Sequence, residues 1–187
     1  MNRLARALFA LSLLAAAPAA AAPAASPIDT HFALSTLDGR AVTDTDYRGK
    51  FLLIYFGYTF CPDVCPTTLS QIDAALDALG PQGARFQPLF ISVDPSRDKP
   101  SVLKDYLANF RHIGGLAGSP EEIETVAKAF HAYYRARSLG NGEYAVDHSS
   151  YIYVIGPDGA LIELLTGDLP DHPLDKELRR LLAKARA

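Results

Sequence analysis

The sequence predicts an α/β domain: a central mixed β-sheet flanked by helices, behind a short N-terminal leader. Three observations carry this. Phe51-Leu52-Leu53-Ile54-Tyr55-Phe56 is a continuous apolar run, the composition of a strand buried on both faces, and Phe86 to Val93 reads as a second buried strand. Between them Leu69, Ile72, Leu76 and Leu79 recur at helical spacing with Asp73 and Asp77 opposite, which gives strand, helix, strand. Farther on, Tyr151 to Ile155 and Leu161 to Leu165 flank Pro157-Asp158-Gly159, a hairpin signal. At 187 residues, with 49% hydrophobic and 21% charged, the chain has material for one ordinary core.

The leader comes first. Met1 to Arg6 holds two arginines and no acid, Ala7 to Ala17 is a mostly apolar run, and small residues follow Pro18 as far as Ala25. A positive start, an apolar middle and a small-residue end are the layout of a secretory signal, assigned to residues 1–25. A retained membrane anchor is the alternative. The apolar part is short for a span of about 20 residues, and Pro18 and Pro23 interrupt it. The domain, residues 26–187, is therefore expected in the periplasm or another extracytoplasmic space. Without Arg3 and Arg6, the 18 basic residues fall to 16 against 21 acidic ones, a net charge of about −5. That balance argues against nucleic acid as a partner.

Residues 27–32 lead into the domain. His31 to Ser35 and Ala41-Val42-Thr43 flank the turn signal Leu37-Asp38-Gly39-Arg40, an N-terminal hairpin. The first buried strand ends at a turn-rich loop, Gly57 to Cys65, and the amphipathic helix after it stops at Gly80-Pro81. Ser101 to Phe110 reads as a helix with Val102, Leu103, Tyr106, Leu107 and Phe110 inward, and Ile113 to Leu116 as a short strand. Ser119-Pro120-Glu121-Glu122 is a helix start: a cap, a proline at the first position, then acids at the positive end. Tyr133 to Ser138 and Tyr144 to Val146 flank Gly140-Asn141-Gly142, an inserted hairpin. Asp171 to Ala185 closes the chain as a helix with Leu174, Leu178, Leu181 and Leu182 inward. A βαβ half followed by a ββα half is the thioredoxin plan, here with a hairpin in front and another inserted before His148.

The chain has two cysteines, Cys61 and Cys65, in Cys61-Pro62-Asp63-Val64-Cys65-Pro66 at the junction of a buried strand and a helix. Free N–H groups and the helix dipole at such a junction favour thiolates, the form that attacks disulfides and binds metals. Thioredoxin motifs place two residues between their cysteines; here there are three. One helical turn puts Cβ atoms about 5–6 Å apart, wider than the roughly 4 Å of a disulfide. Metal–thiolate bonds near 2.3 Å suit that gap, so the spacing favours a metal without excluding a disulfide. Two inert core thiols are the plainer alternative.

Of five histidines, His31, His112, His131 and His172 read as surface, loop or helix-end residues. His148, in Asp147-His148-Ser149-Ser150, precedes the strand whose leading loop faces the cysteines in the thioredoxin plan. Thioredoxins carry a cis-proline there, and this chain has no proline between Pro120 and Pro157. Two thiolates and an imidazole form a soft three-donor set that suits copper as Cu(I) or Cu(II). Asp147 is a candidate to orient the imidazole, or a plain turn aspartate.

Gly57-Tyr58-Thr59-Phe60-Cys61-Pro62-Asp63-Val64-Cys65-Pro66, Ser92-Val93-Asp94-Pro95-Ser96-Arg97-Asp98, Val146-Asp147-His148-Ser149-Ser150 and Tyr153-Val154-Ile155-Gly156-Pro157-Asp158-Gly159, in that order, resemble the Sco/SenC family. These are thioredoxin-like proteins of cytochrome c oxidase assembly. The resemblance implies that Cys61, Cys65 and His148 ligate one copper ion. It implies delivery to, or thiol preparation of, the dinuclear copper site of oxidase subunit II or of another exported copper protein, with other copper chaperones as further partners. Many members are tethered by one membrane helix, and some act as thiol–disulfide reductases. A carrier without turnover is thus the first expectation, an extracytoplasmic thiol–disulfide oxidoreductase the second, and a peroxidase of related fold is disfavoured by the cysteines' context. Asp94, Arg97 and Asp98 match the family's second motif. Asp94 either orients the cysteine loop or contacts a partner, or it forms a turn or salt bridge. Partner contact is placed around Tyr58, Phe60 and the His148 loop, with packing of the site's walls as the plainer role for the aromatics.

Overall fold

The computed structural model describes residues 27–166 and 173–185. The expected leader, residues 1–25, falls outside the described residues, as do His172 and the expected helix start at Asp171.

The chain opens with a hairpin, β1 (Ala33–Thr36) and β2 (Ala41–Thr43), that buries Leu34 and Val42. β3 (Phe51–Gly57) is buried at every residue, which its unbroken apolar run requires. α1 (Val64–Leu79) places Cys65, Leu69, Ile72, Leu76 and Leu79 inward and stops at Gly80, whose φ of 57° a glycine adopts without strain. β4 (Phe86–Ser92) lies parallel to β3, with Phe51 opposite Phe86 and Gly57 opposite Ser92.

α2 (Pro100–Leu107) begins one residue earlier and ends sooner than the periodicity suggests. Proline fits the first helical position because no N–H is needed there. Val102, expected inward, is exposed, while Leu103 and Leu107 carry the buried face. β5 (Gly114–Ala117) pairs parallel with β4. α3 (Pro120–Ala129) starts on the expected capping box: Ser119 Oγ accepts from the Glu122 N–H (3.2 Å), and the Glu122 carboxylate accepts from the Ser119 N–H (2.7 Å).

β6 (Tyr134–Gly140) and β7 (Glu143–His148) form the inserted hairpin about Asn141-Gly142, both with positive φ as a two-residue primed turn demands. β8 (Tyr151–Ile155) runs antiparallel to β3, and β9 (Leu161–Thr166) antiparallel to β8. α4 (Leu174–Lys184) buries Leu174, Leu178, Leu181 and Leu182, the leucines expected to face inward.

The main sheet has the order β2-β1-β5-β4-β3-β8-β9, while β6 and β7 form a separate two-stranded sheet. The mixed sheet with its flanking helices is the thioredoxin-like architecture expected, with all three predicted hairpins present. β4 is the middle strand, and β3 lies between it and β8. Phe56, Phe130 and Tyr153 meet edge to face at 5.4–5.5 Å, an arrangement aromatic quadrupoles favour. No described helix is long and apolar enough to cross a membrane.

Candidate metal centre

The cysteines stand where β3 gives way to α1. The Gly57 carbonyl accepts from the Val93 N–H (2.8 Å), which ties the ends of β3 and β4 together. The Tyr58 carbonyl accepts from the Cys61 N–H (3.2 Å) and turns the loop. Cys61 precedes α1 and Cys65 lies in its first turn, so the two are not both helical, as the one-turn estimate assumed. They still converge: the Cys65 N–H donates to Cys61 Sγ at 3.4 Å. Asp63, at the N-cap, makes no side-chain cap bond, so the Cys61 sulfur satisfies one of the helix's free N–H groups instead. Gly57 leaves room for this. A Cβ there would sit 2.8 Å from both Cys65 Sγ and the Phe90 ring.

Asp98 fixes the loop. Its buried carboxylate accepts from the Thr59 N–H (2.9 Å), Thr59 Oγ1 (2.6 Å) and Ser92 Oγ (2.5 Å). The stretch before Cys61 is thereby tied to the end of β4.

His148, the last residue of β7, points its imidazole at the cysteines, with Nε2 3.3 Å from Cys65 Sγ. Its Nδ1 lies 3.0 Å from the Ser149 carbonyl, which can only accept. Nδ1 therefore donates to that carbonyl, and Nε2 is the ring atom turned toward the sulfur. Tyr55 and Tyr58 present ring edges to the imidazole at 6.2 and 5.8 Å, and the Tyr55 hydroxyl approaches Cys65 Sγ at 4.0 Å. Donor atoms of Cys61, Cys65 and His148 all lie within 4.8 Å of one another. Bonds of about 2.3 Å to sulfur and 2.0–2.1 Å to nitrogen let one ion reach all three with small adjustments. Among the described residues no other group of three His, Cys, Asp or Glu side chains converges in this way.

The two thiols differ. The neighbouring Cys65 thiol lowers the Cys61 pKa to about 4, against the opposing effect of burial and with help from His148. The nearby Cys61 sulfur, and then burial, push the Cys65 thiol up. Without metal the pair is thus a thiolate at Cys61 and a thiol at Cys65. Brief treatment with iodoacetamide near pH 6 is expected to label Cys61, which is 8% exposed, and to spare Cys65, which is 0% exposed. Peptide mass mapping reads this, and equal labelling would refute the asymmetry.

The other histidines lie elsewhere. His31 Nδ1 pairs with Asp44 (3.0 Å), His112 Nε2 pairs with Asp77 (2.9 Å), and His131 is exposed just past α3. Asp147 takes neither role considered for it. It pairs with Arg137 across the hairpin (3.2 Å), and the Ser149 carbonyl orients the imidazole. Asp94 is a salt-bridging residue, held by Arg97 Nε at 2.5 Å, and orienting the cysteine loop falls to Asp98. Tyr58 is buried and walls the centre, while Phe60, beside Cys61, is 60% exposed. Sequence reasoning assigned no role to Tyr55 or Tyr144, and quoted Thr59 and Ser92 only as members of the motifs. The available signal was polar residues set among apolar ones near the cysteines and at the end of β4.

The sequence profile of a family described as SCO1/SenC matches residues 20–183. Among curated proteins, Protein sco1 of Schizosaccharomyces pombe is 42% identical over 138 residues, 71% of this chain and 52% of that one. Protein SenC of Rhodobacter capsulatus is 40% identical over 147 residues, covering 78% and 66%. The chain thus spans about half to two thirds of the length of these relatives. Among solved structures, copper-bound ScoI of Bradyrhizobium japonicum superposes with a TM-score of 0.76 at 39% identity, covering 82% of this chain and 99% of that one. BsSco, described as having a disulfide switch and as a member of the Sco family of cytochrome c oxidase assembly proteins, gives 0.64 at 26% identity, covering 82% and 90%.

Proposed function

The chain belongs to the SCO1/SenC family, and from that we propose that it is an exported copper-binding chaperone. It delivers copper to, or prepares the thiols of, the dinuclear copper site of cytochrome c oxidase. The observation that supports this most is the convergence of Cys61, Cys65 and His148 within 4.8 Å. Two sulfurs and one nitrogen are a soft donor set that selects Cu(I), whereas structural zinc takes four protein ligands. Copper is the cargo. The solved structures with bound copper support the choice of metal. Subunit II of the oxidase is the proposed client, with another exported copper protein and other copper chaperones as further partners. Residues 1–25 act as the export signal, with a retained anchor as the alternative, and residues 26–187 as the copper-binding domain.

The test is anaerobic titration of the reduced, leaderless protein with Cu(I) against a competing chelator. Wild type is expected to bind one equivalent, and His148→Ala to lose affinity by about tenfold or more, since one of three donors is gone. Equal affinities would make His148 structural and sink the reading.

The Cys61 thiolate beside a protonated Cys65 also supports thiol–disulfide exchange. In that reaction Cys61 attacks a client disulfide, Cys65 displaces the client sulfur, and the client leaves with two thiols as Cys61–Cys65 becomes a disulfide. This role needs both cysteines and does not need His148.

A further inference from the structure

The two sulfurs and the imidazole sit on different bodies. Cys61 and Cys65 belong to the junction of β3 and α1 in the seven-stranded sheet, whereas His148 ends β7 in a two-stranded sheet with no ladder hydrogen bonds to the main one. His148 leads through Ser149 and Ser150 into β8 of the main sheet, while the rest of the hairpin is held over the cysteines by contacts other than strand pairing. Val146 supplies one buried apolar contact. The polar tie is Arg97, in the turn after β4. Its Nε donates to Asp94 Oδ2 (2.5 Å) and its Nη1 to the Tyr144 carbonyl on β7 (2.8 Å). Its guanidinium lies 3.7 Å from the centre of the Tyr144 ring, 4.7 Å from that of Phe60 and 5.7 Å from that of Tyr58. The Tyr144 hydroxyl completes the arrangement by donating to Asp94 Oδ1 (2.8 Å).

One cation thus touches the hairpin that carries His148, the aromatic residues that lead into Cys61, and a buried carboxylate at the end of β4. Arginine is suited to this because its planar fork donates in two directions while its face stacks on rings, which lysine cannot do at once. Asp94 is buried, so the pair is shielded from water and its geometry is held more firmly than that of a surface ion pair.

We propose that Arg97, braced by Asp94 and Tyr144, is a positioning residue that latches the β6–β7 hairpin to the cysteine loop and so sets where His148 stands relative to Cys61 and Cys65. This rests on the reading of those three residues as the copper ligands, and it adds a residue that touches no ligand atom yet governs the site. The latch predicts that the hairpin is the part of the molecule loosened when Arg97 is lost, and that copper feels that loss through His148 alone.

The test uses the reduced, mature exported protein, the variants Arg97→Ala, Arg97→Lys, Tyr144→Phe and His148→Ala, and the double variant Arg97→Ala/His148→Ala. Hydrogen exchange is measured first, without metal. Arg97→Ala is expected to speed exchange of residues 134–148 by about tenfold, the worth of one hydrogen bond to a charged group, while β3 and β4 keep wild-type rates. Tyr144→Phe is expected to give a smaller rise over the same residues, and Arg97→Lys to behave as Arg97→Ala. Unchanged exchange in the hairpin, an equal rise in β3 and β4, or full rescue by lysine would each overturn the latch. Cu(I) affinity follows. Arg97→Ala is expected to weaken it by about tenfold in the wild-type background and not at all in the His148→Ala background, the mark of two residues acting through one contact. Fully additive losses would overturn the latch. If His148→Ala binds copper as wild type does, the ligand reading fails, and the metal-free exchange still decides the latch.

Discussion

Cys65→Ala is expected to abolish useful copper binding while leaving the domain folded. The Cys65 sulfur is the common neighbour in the centre: it lies 3.3 Å from His148 Nε2, its residue's N–H reaches Cys61 Sγ, and the Tyr55 hydroxyl is directed at it. Alanine keeps the backbone N–H bond to Cys61 and removes one atom from a site that is 0% exposed. The cost to folding is expected near 1 kcal/mol, the scale of one buried methylene and a small void. The metal loses far more. Structural zinc sites gain about 10–16 kcal/mol from four ligands, so one thiolate accounts for roughly 3 kcal/mol, or on the order of a hundredfold in affinity. The same variant cannot close a Cys61–Cys65 disulfide, so it also fails as a reductase. Competition titration together with a thermal melt separates the two effects. Retained one-to-one binding with a normal melt would mean that the ion is held without Cys65, and the three-ligand centre would fall.

Asp98→Ala is expected to cost about 3 kcal/mol of folding stability, a fall in melting temperature of roughly 6–12 °C for a domain of this size. The carboxylate is 2% exposed and accepts three hydrogen bonds, two from Thr59 and one from Ser92. Removing it strands the Thr59 N–H and the Ser92 hydroxyl in a place water reaches poorly, and each buried donor without a partner costs about 1–3 kcal/mol. Part of that is offset because a buried charge also disappears. Asp98→Asn, nearly the same shape, is expected to lose less. Denaturant unfolding followed at two wavelengths gives the numbers, and an Asp98→Ala variant within about 0.5 kcal/mol of wild type would show that the network is ornamental.

The strong elements were legible because burial leaves a local trace. β3 announces itself as an unbroken apolar run and β4 as a mainly apolar one, α3 by Ser119-Pro120-Glu121-Glu122, and the β6–β7 turn by Asn141-Gly142. α2 was less legible: Val102 has an apolar side chain and still faces solvent. No tertiary partner can be inferred from the periodicity of so short a segment. At the centre, the cysteines were legible from their strand–helix junction, and the placement of His148 followed from the expected topology. The supports were not. Asp98 and Thr59 are 39 positions apart, Arg97 and Tyr144 are 47 apart, and nothing in either neighbourhood names the other. Asp147 illustrates the converse. Its position beside His148 suggested a bond to the imidazole, but alternation along a strand sends neighbouring side chains to opposite faces, and it meets Arg137 instead.

The separation of the two sheets bears on how a carrier lets go. A receptor that never releases can be built as tightly as chemistry allows; a courier needs a grip that opens on arrival. Here two of three fingers belong to the frame, and the third stands at the root of a flap that shares no strand pairing with it and is braced against it by side chains. Under the proposed carrier role, lifting the flap lowers the coordination number by one without breaking a strand of the frame, so a client that competes for the flap's footing would collect the ion and leave the courier intact for its next load.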